Sequence, residues 1–294
     1  MTQQRWFHRR GELARGQWQT VVDGRIDGWA HTGLRVAELD GGSVELEPGV
    51  EKLVVPLAGS FVVETQSERH ELAGRASVFD GPTDVLYVGT AEAARVSGTG
   101  RVAVATSPTE RSLPNRFIPA EQTPVELRGS GASSRQVHNF GTPQALEAAR
   151  FIVCEVITPS ENWSSYPPHK HDEHLPGHES RLEEIYYFES APTRTSEGVP
   201  AESAFGMFST YSSPAGEIDI NARVQTGDVA LVPYGYHGPA VAAPGYDLYY
   251  LNVMAGPDAE RIWNISDDPA HAWVRASWEG QPFDERLPYE STKG

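Results

Sequence analysis

Short apolar runs with period-two alternation dominate the chain. "KLVVPLAGSFVVE", "DVLYVG", "RVAVAT", "RFIVCEVIT", "EEIYYFE", "DVALVP" and "YDLYYLNVM" are rich in Val, Ile, Tyr and Phe and are bounded by Gly, Pro, Asp or Ser. Such runs predict strands, and many short strands joined by turns predict a sandwich or barrel. Helical periodicity is scarce. The best stretch is "TPQALEAARF" at 142–151, where Thr142 is placed to cap a short helix and Pro143 to open it.

The strand pattern recurs. "DVLYVGTAEAARVSGTGRVAVA" begins at Asp84 and "DVALVPYGYHGPAVAAPGYDLYYLNV" at Asp228, and "EKLVVPLAG" (51–59) matches "EEIYYFESA" (183–191) more weakly. Two matches at nearly equal offsets indicate a duplicated β-domain. The Pro- and Ser-bearing stretch 107–124 is the expected joint. It divides the chain into an N-terminal unit over 1–115 and a C-terminal unit over 116–294, whose polar end, 279–294, reads as an arm. The copies differ where chemistry would sit. "TAEAA" stands at the place of His237, and "ELEP" at the place of "HKH". The first unit is therefore expected to be structural and the second active.

Composition narrows the function. The 294 residues carry a net charge of −16, which excludes a phosphate-binding basic face and so a nucleic-acid partner. No apolar run reaches membrane-spanning length, and the basic N-terminus lacks the apolar core of a secretory signal. A single cysteine, Cys154, excludes an internal disulfide framework and fits a reducing cytoplasm.

The segment 163–189 holds four of the ten histidines. In an extended "HKH", His169 and His171 share one face, with Lys170 and Asp172 on the other. Paired imidazoles are costly unless one is neutral or a metal bridges them. In "LEEIYYF" the same parity groups Glu184, Tyr186 and Phe188 against Glu183, Ile185 and Tyr187, so one glutamate joins the pair. A strand and a Pro-Gly turn in "GDVALVPYGYHG" deliver His237. Three imidazoles and a carboxylate suit a divalent Zn, Mn or Fe ion, with zinc the first expectation. His174 and His178 lie in a polar loop and read as solvated. His8, His31, His70, His138 and His271 stand alone and read as packed or surface side chains.

H-x-H followed by Glu, and G-x5-P-x-G ending in His, resemble the two cupin motifs. The spacing departs from the usual one: twelve residues, "DEHLPGHESRLE", separate His171 from Glu184, as a loop insertion between strands would produce. "NWSSYPPHKHDE", "LEEIYYF", "GDVALVPYGYHGPAVAAPGYDLYYLNVMAG", "DDPAHAW", "SVFDGPTDVLYV" and "RQVHN" resemble the 5-deoxy-glucuronate isomerase family of myo-inositol catabolism over nearly the whole chain. The resemblance implies an all-β bicupin, two tandem jelly-roll-like barrels with few short helices. It also implies an aldose–ketose isomerase giving 5-dehydro-2-deoxy-D-gluconate. Likeness to a related uronate ketol-isomerase singles out Glu184 as the ligand glutamate. One departure is local: the family's Gln-Arg pair before the second motif is replaced here by Phe208 and Ser209.

Such an isomerisation needs a Lewis acid and a proton carrier. The inward-facing candidates for the carrier are Tyr186 and Tyr250, and Lys170, Arg223 and Arg261 are the candidates to meet the substrate carboxylate. The expected partner is a small sugar acid, with self-association into a homo-oligomer left open. A bicupin dioxygenase using the same ligands with O₂, a related uronate isomerase and a non-catalytic sugar-binding cupin are the alternatives.

Overall fold

The computed structural model describes residues 5–196 and 198–290. The period-two runs form three large antiparallel sheets. The first takes its strands in the order Thr20–Val22, Gly33–Leu46, Ala94–Pro108, Val50–Thr65, Val85–Val88 and Arg116–Ile118, with Arg69–Arg75 also paired to Val50–Thr65. The second has the order Phe7–His8, Val229–Val232, Glu183–Pro192, Tyr246–Ala255, Ile152–Thr158, Arg135–Gly141 and Val125–Arg128. A third, of Gly216–Val224, Gly206–Ser213, Tyr236–Ala242, His169–Lys170 and Ser266–Asp267, belongs to the second half, with Trp163–Ser164 on Tyr236–Ala242. The sheets end in open edges, so the architecture is jelly-roll-like and all-β, without closed barrels.

Alternation decides which face each residue serves. Leu53, Val55 and Tyr87 of the first half pack with Ile185, Tyr187 and Val253 of the second in one continuous core. Fully burying side chains of this size contributes about 1.5–3 kcal/mol each. The opposite face of the first sheet closes over a separate apolar cluster that includes Val54, Leu86, Val102 and Val104.

The sheets do not part at residue 115. Phe7–His8 leaves the first half to pair with Val229–Val232, Phe7 opposite Ala230. Arg116–Ile118 stays with the first sheet, Phe117 opposite Leu86. Each half thus lends an edge strand to the other, and lent strands cover edges that would otherwise invite aggregation. Polar contacts cross the same interface. Glu51 accepts the N–H groups of Ala149, Arg150 and Phe151 at 2.7–2.9 Å. Glu183 accepts those of Ala30, His31 and Thr32 at 2.7–3.2 Å. Arg75 grips Glu155 with two bonds of 2.6 and 2.7 Å.

The expected helix over 142–151 does not form. Thr142 caps a single turn, its carbonyl accepting Ala145 and Leu146, and then Glu51 takes the N–H groups of 149–151. Among the described residues the only α-helix is the short Trp273–Ser277. Among the described residues no helix is long and apolar enough to cross a membrane. The C-terminal arm docks through Tyr289, whose backbone exchanges two hydrogen bonds with the Gln136 amide.

Candidate metal centre

Two sheets of the second half bring the site together. His169 is the register partner of His237 within one sheet, and Glu184 reaches in from Glu183–Pro192 of the other. Gly238 makes the close approach possible. Its φ is +93°, and a Cβ there would drive into the Ser165 carbonyl. The rings of His169 and His171 lie 4.6 and 4.7 Å from that of His237. His171, Glu184 and His237 bring one donor atom each within 4.8 Å of one another, and all three are buried.

The backbone fixes the tautomers. Nδ1 of His169 donates to the Pro167 carbonyl, that of His171 to Leu182 and that of His237 to Gly235, at 3.0–3.2 Å. Each Nε2 is left as a lone pair. Nε2 of His171 and of His237 then face the same Glu184 oxygen at 3.0 and 3.1 Å. The His237 atom is buried without a hydrogen-bond partner. Nitrogen and oxygen atoms converging this closely need a proton or a metal ion between them, and backbone carbonyls holding the far nitrogens are the usual support of metal-ligating imidazoles. The three groups could therefore hold a metal ion, with His169 beside them.

The charge states centre on Glu184. Burial alone would raise the Glu184 carboxyl, but His171 and His237 outweigh it and hold the group down to about 2. Burial, reinforced by His237, pushes His169 well below its ordinary value, so it is a neutral imidazole. Burial lowers His171 as well, and the Glu184 contact more than offsets this.

A cavity of about 510 Å³ opens beside the cluster, lined by His169, Glu184, Tyr186, Tyr250 and Asn252 among others. The hydroxyls of Tyr186 and Tyr250 both meet Ser165 Oγ, at 3.2 and 3.0 Å. Burial first, and then the Glu184 charge among others, raises Tyr186 well above its ordinary value; burial also raises Tyr250. Both stay protonated at neutral pH. Glu183 points away, to the loop of the first half described above.

The three expected carboxylate anchors lie elsewhere. Lys170 projects from the opposite strand face, as its parity requires, and Asp172, Glu173 and Glu179 take its ammonium at 2.7–2.8 Å. Arg223 lies outside the cavity, over the ring of Phe205 at 4.4 Å. Arg261 spends its guanidinium on the carbonyls of Phe151, Leu146 and Gly141. Phe208, in place of one member of the Gln-Arg pair, packs in the core on Tyr186 and Phe188, ring centres 4.6 and 5.4 Å away. The cations that do line the cavity are Arg128, Arg135 and Arg275, with Trp263 and Trp278 beside them. No spacing along the chain marks them, because Val125–Arg128, Arg135–Gly141 and the Trp273–Ser277 helix meet only after the sheet has formed.

Comparison with known proteins places the chain. The profile of the KduI/IolB family matches residues 6–274. A 5-deoxy-glucuronate isomerase of Geobacillus thermodenitrificans is 40% identical over 256 residues, covering 85% of this chain and 88% of that protein. An IolB-like protein of Salmonella typhimurium superposes with a TM-score of 0.82 at 30% identity, over 92% of this chain and 98% of that one. Lactobacillus farciminis oxalate decarboxylase shares the fold, with a TM-score of 0.57 at 10% identity, over 89% of this chain and 90% of that one.

Proposed function

The chain belongs to the KduI/IolB family, and from that premise we propose that it isomerises 5-deoxy-D-glucuronate to 5-dehydro-2-deoxy-D-gluconate. The observation that carries the chemistry is the convergence of Nε2 of His171 and of His237 on one Glu184 oxygen at the side of a polar cavity. His169, His171, Glu184 and His237 would hold one divalent ion, zinc, manganese or iron. When bound, such an ion supplies a Lewis acid that acidifies the C–H beside a carbonyl.

The chain's own residues aim the ligand groups and move a proton between the sugar oxygens. The carbonyls of Pro167, Leu182 and Gly235 keep the imidazoles aimed, and Glu184 supplies the negative charge. Tyr186 and Tyr250, joined through Ser165 Oγ, form a short protonated chain that can give a proton to a sugar oxygen and take one back. The division of labour between a structural first half and an active second half is part of this reading.

The test is NMR of 5-deoxy-glucuronate incubated without oxygen with metal-replete protein. Loss of the anomeric signals with growth of a 2-deoxy keto acid is the expected result. No conversion, together with oxygen-dependent cleavage of an added substrate, would move the protein to the dioxygenases.

A further inference from the structure

Arg135 is 8% exposed, and among the described residues its guanidinium forms no ion pair. Its single side-chain hydrogen bond runs from Nη1 to the Ser133 carbonyl at 3.1 Å. Arg128 sits directly opposite it across the strand pair, and like charges so placed destabilise a sheet. Arg275 shares the Trp278 ring with it, at 5.5 Å against 5.6 Å for Arg135. Arg128 has Glu126 at 2.9 Å, and Arg275 has Asp267 at 2.7 Å. Among the described residues Arg135 alone of the three has no carboxylate in ion-pair contact, the neighbouring Glu126 being taken by Arg128. Burial above all, with Arg128 and Arg275 adding to it against the opposing pull of Tyr250 and Glu126, brings its pKa down to about 10, which still leaves a cation at neutral pH. A buried unpaired cation among cations is a standing cost that an anion in the cavity would offset.

Position indicates which anion. Along Tyr246–Ala255, Glu184 is in register with Met254 and Tyr186 with Asn252. Val156 and Val137 carry the Tyr250 row across the sheet, and Arg135 and Arg128 lie one pleat beyond it. The imidazole cluster and the arginine pair are therefore at diagonal corners of the cavity. In a uronic acid the carboxylate is likewise at the opposite end of the carbon chain from the aldehyde.

We propose that Arg135, backed by Arg128, anchors the carboxylate of the sugar acid and sets the preference for acids over neutral sugars. This rests on the isomerase reading above.

The test compares 5-deoxy-glucuronate with 5-deoxy-D-glucose, its neutral counterpart, in the full-length metal-loaded protein. Arg135→Gln should lower kcat/KM for the acid about 100-fold, mainly through KM, and change the neutral sugar less than about threefold. Arg135→Lys, which keeps the charge and loses the fork, should recover about tenfold of that loss. Equal losses on both sugars, or an unchanged KM for the acid, would overturn the proposal. Should Arg135→Gln fail to fold, Arg135→Lys carries the test, with an expected rise in the acid's KM of about tenfold and none for the neutral sugar. Binding of 2-deoxy-D-gluconate and of 2-deoxy-D-glucitol, read from tryptophan fluorescence, separates this idea from the isomerase reading. If the wild type isomerises neither aldose yet Arg135→Gln weakens only the acid's binding, the isomerase reading falls and the anchor stands. If isomerisation holds and both ligands bind the variant as they bind the wild type, the anchor falls.

Discussion

Lys52 and Glu184 occupy corresponding places in the two halves. Lys52 lies between Val88 and Thr106, and Glu184 between Val232 and Met254. One pleat on, Val54 between Leu86 and Val104 matches Tyr186 between Ala230 and Asn252. The next row sets Pro56 and Val102 against Phe188 and Tyr250. The first half fills this face with aliphatic side chains, and the Lys52 ammonium spends itself on the carbonyls of Val50, Gly89 and Glu92 at 2.8–3.4 Å. The second half keeps the face polar and open. One frame with equivalent pairing thus carries a packed interior in one copy and a candidate active site in the other, and a few inward positions make the difference. The partners of the outward glutamates match as well: Glu51 and Glu183 each take three backbone N–H groups from the opposite half.

The most drastic way to break the comparison is to separate the halves. Residues 120–294 alone lose the Phe7–His8 edge strand and the partners of Glu183, and we expect an insoluble or inactive product. A soluble fragment with full isomerase activity would show that the first half is dispensable.

Next in size is the centre itself. His171→Ala with His237→Ala should take the metal content, measured by mass spectrometry, from about one ion per chain to background. The same variant should lose at least about 10³-fold in kcat/KM while keeping its fold. Retained metal would mean that the second half does not differ from the first in this respect.

A smaller effect tests the symmetry of the interface. Glu51→Gln and Glu183→Gln should each cost about 1–3 kcal/mol in denaturant unfolding, with metal content unchanged, because a charged acceptor is lost from three backbone donors, some buried and some partly so. Glu184→Gln, one residue away, should instead reduce metal content. If Glu183→Gln lowers metal and Glu184→Gln does not, the inward and outward faces of that strand are interchanged.

An effect confined to alkaline pH belongs to Lys52. Burial above all lowers its pKa from 10.5 to about 8. The folded value lies below the unfolded one, so between those two pH values the unfolded chain binds the extra proton and stability rises with pH. Lys52→Met should remove that rise from the pH profile of unfolding and leave metal content and activity as they were. A profile unchanged by the substitution would show that the ammonium carries no burial cost.

Much of this was legible in the chain. Alternation fixed the strands, the faces of "LEEIYYF" and the outward turn of Lys170, because side-chain direction in a strand depends only on parity. The repeat marked two copies, and its alignment of "EKLVVPLAG" with "EEIYYFESA" already set Glu51 against Glu183. The helix over 142–151 was misread because Glu51, ninety residues and more away along the chain, takes its N–H groups. The anchors were misplaced for a related reason: a cation's partner is chosen in space, and Lys170 and Arg261 are satisfied by groups that no local pattern reveals.

By itself, then, the sequence determined which residues could face together on each strand and which residue types could hold a metal, since both follow from local geometry and side-chain chemistry. Tertiary structure decided which strands became neighbours. That set the exchange of edge strands between halves, the meeting of His237 and Glu184 across two sheets, and the gathering of Arg128, Arg135 and Arg275 around one cavity. Pairing between distant strands depends on the whole set of faces that must be buried at once, and no window of sequence contains that sum.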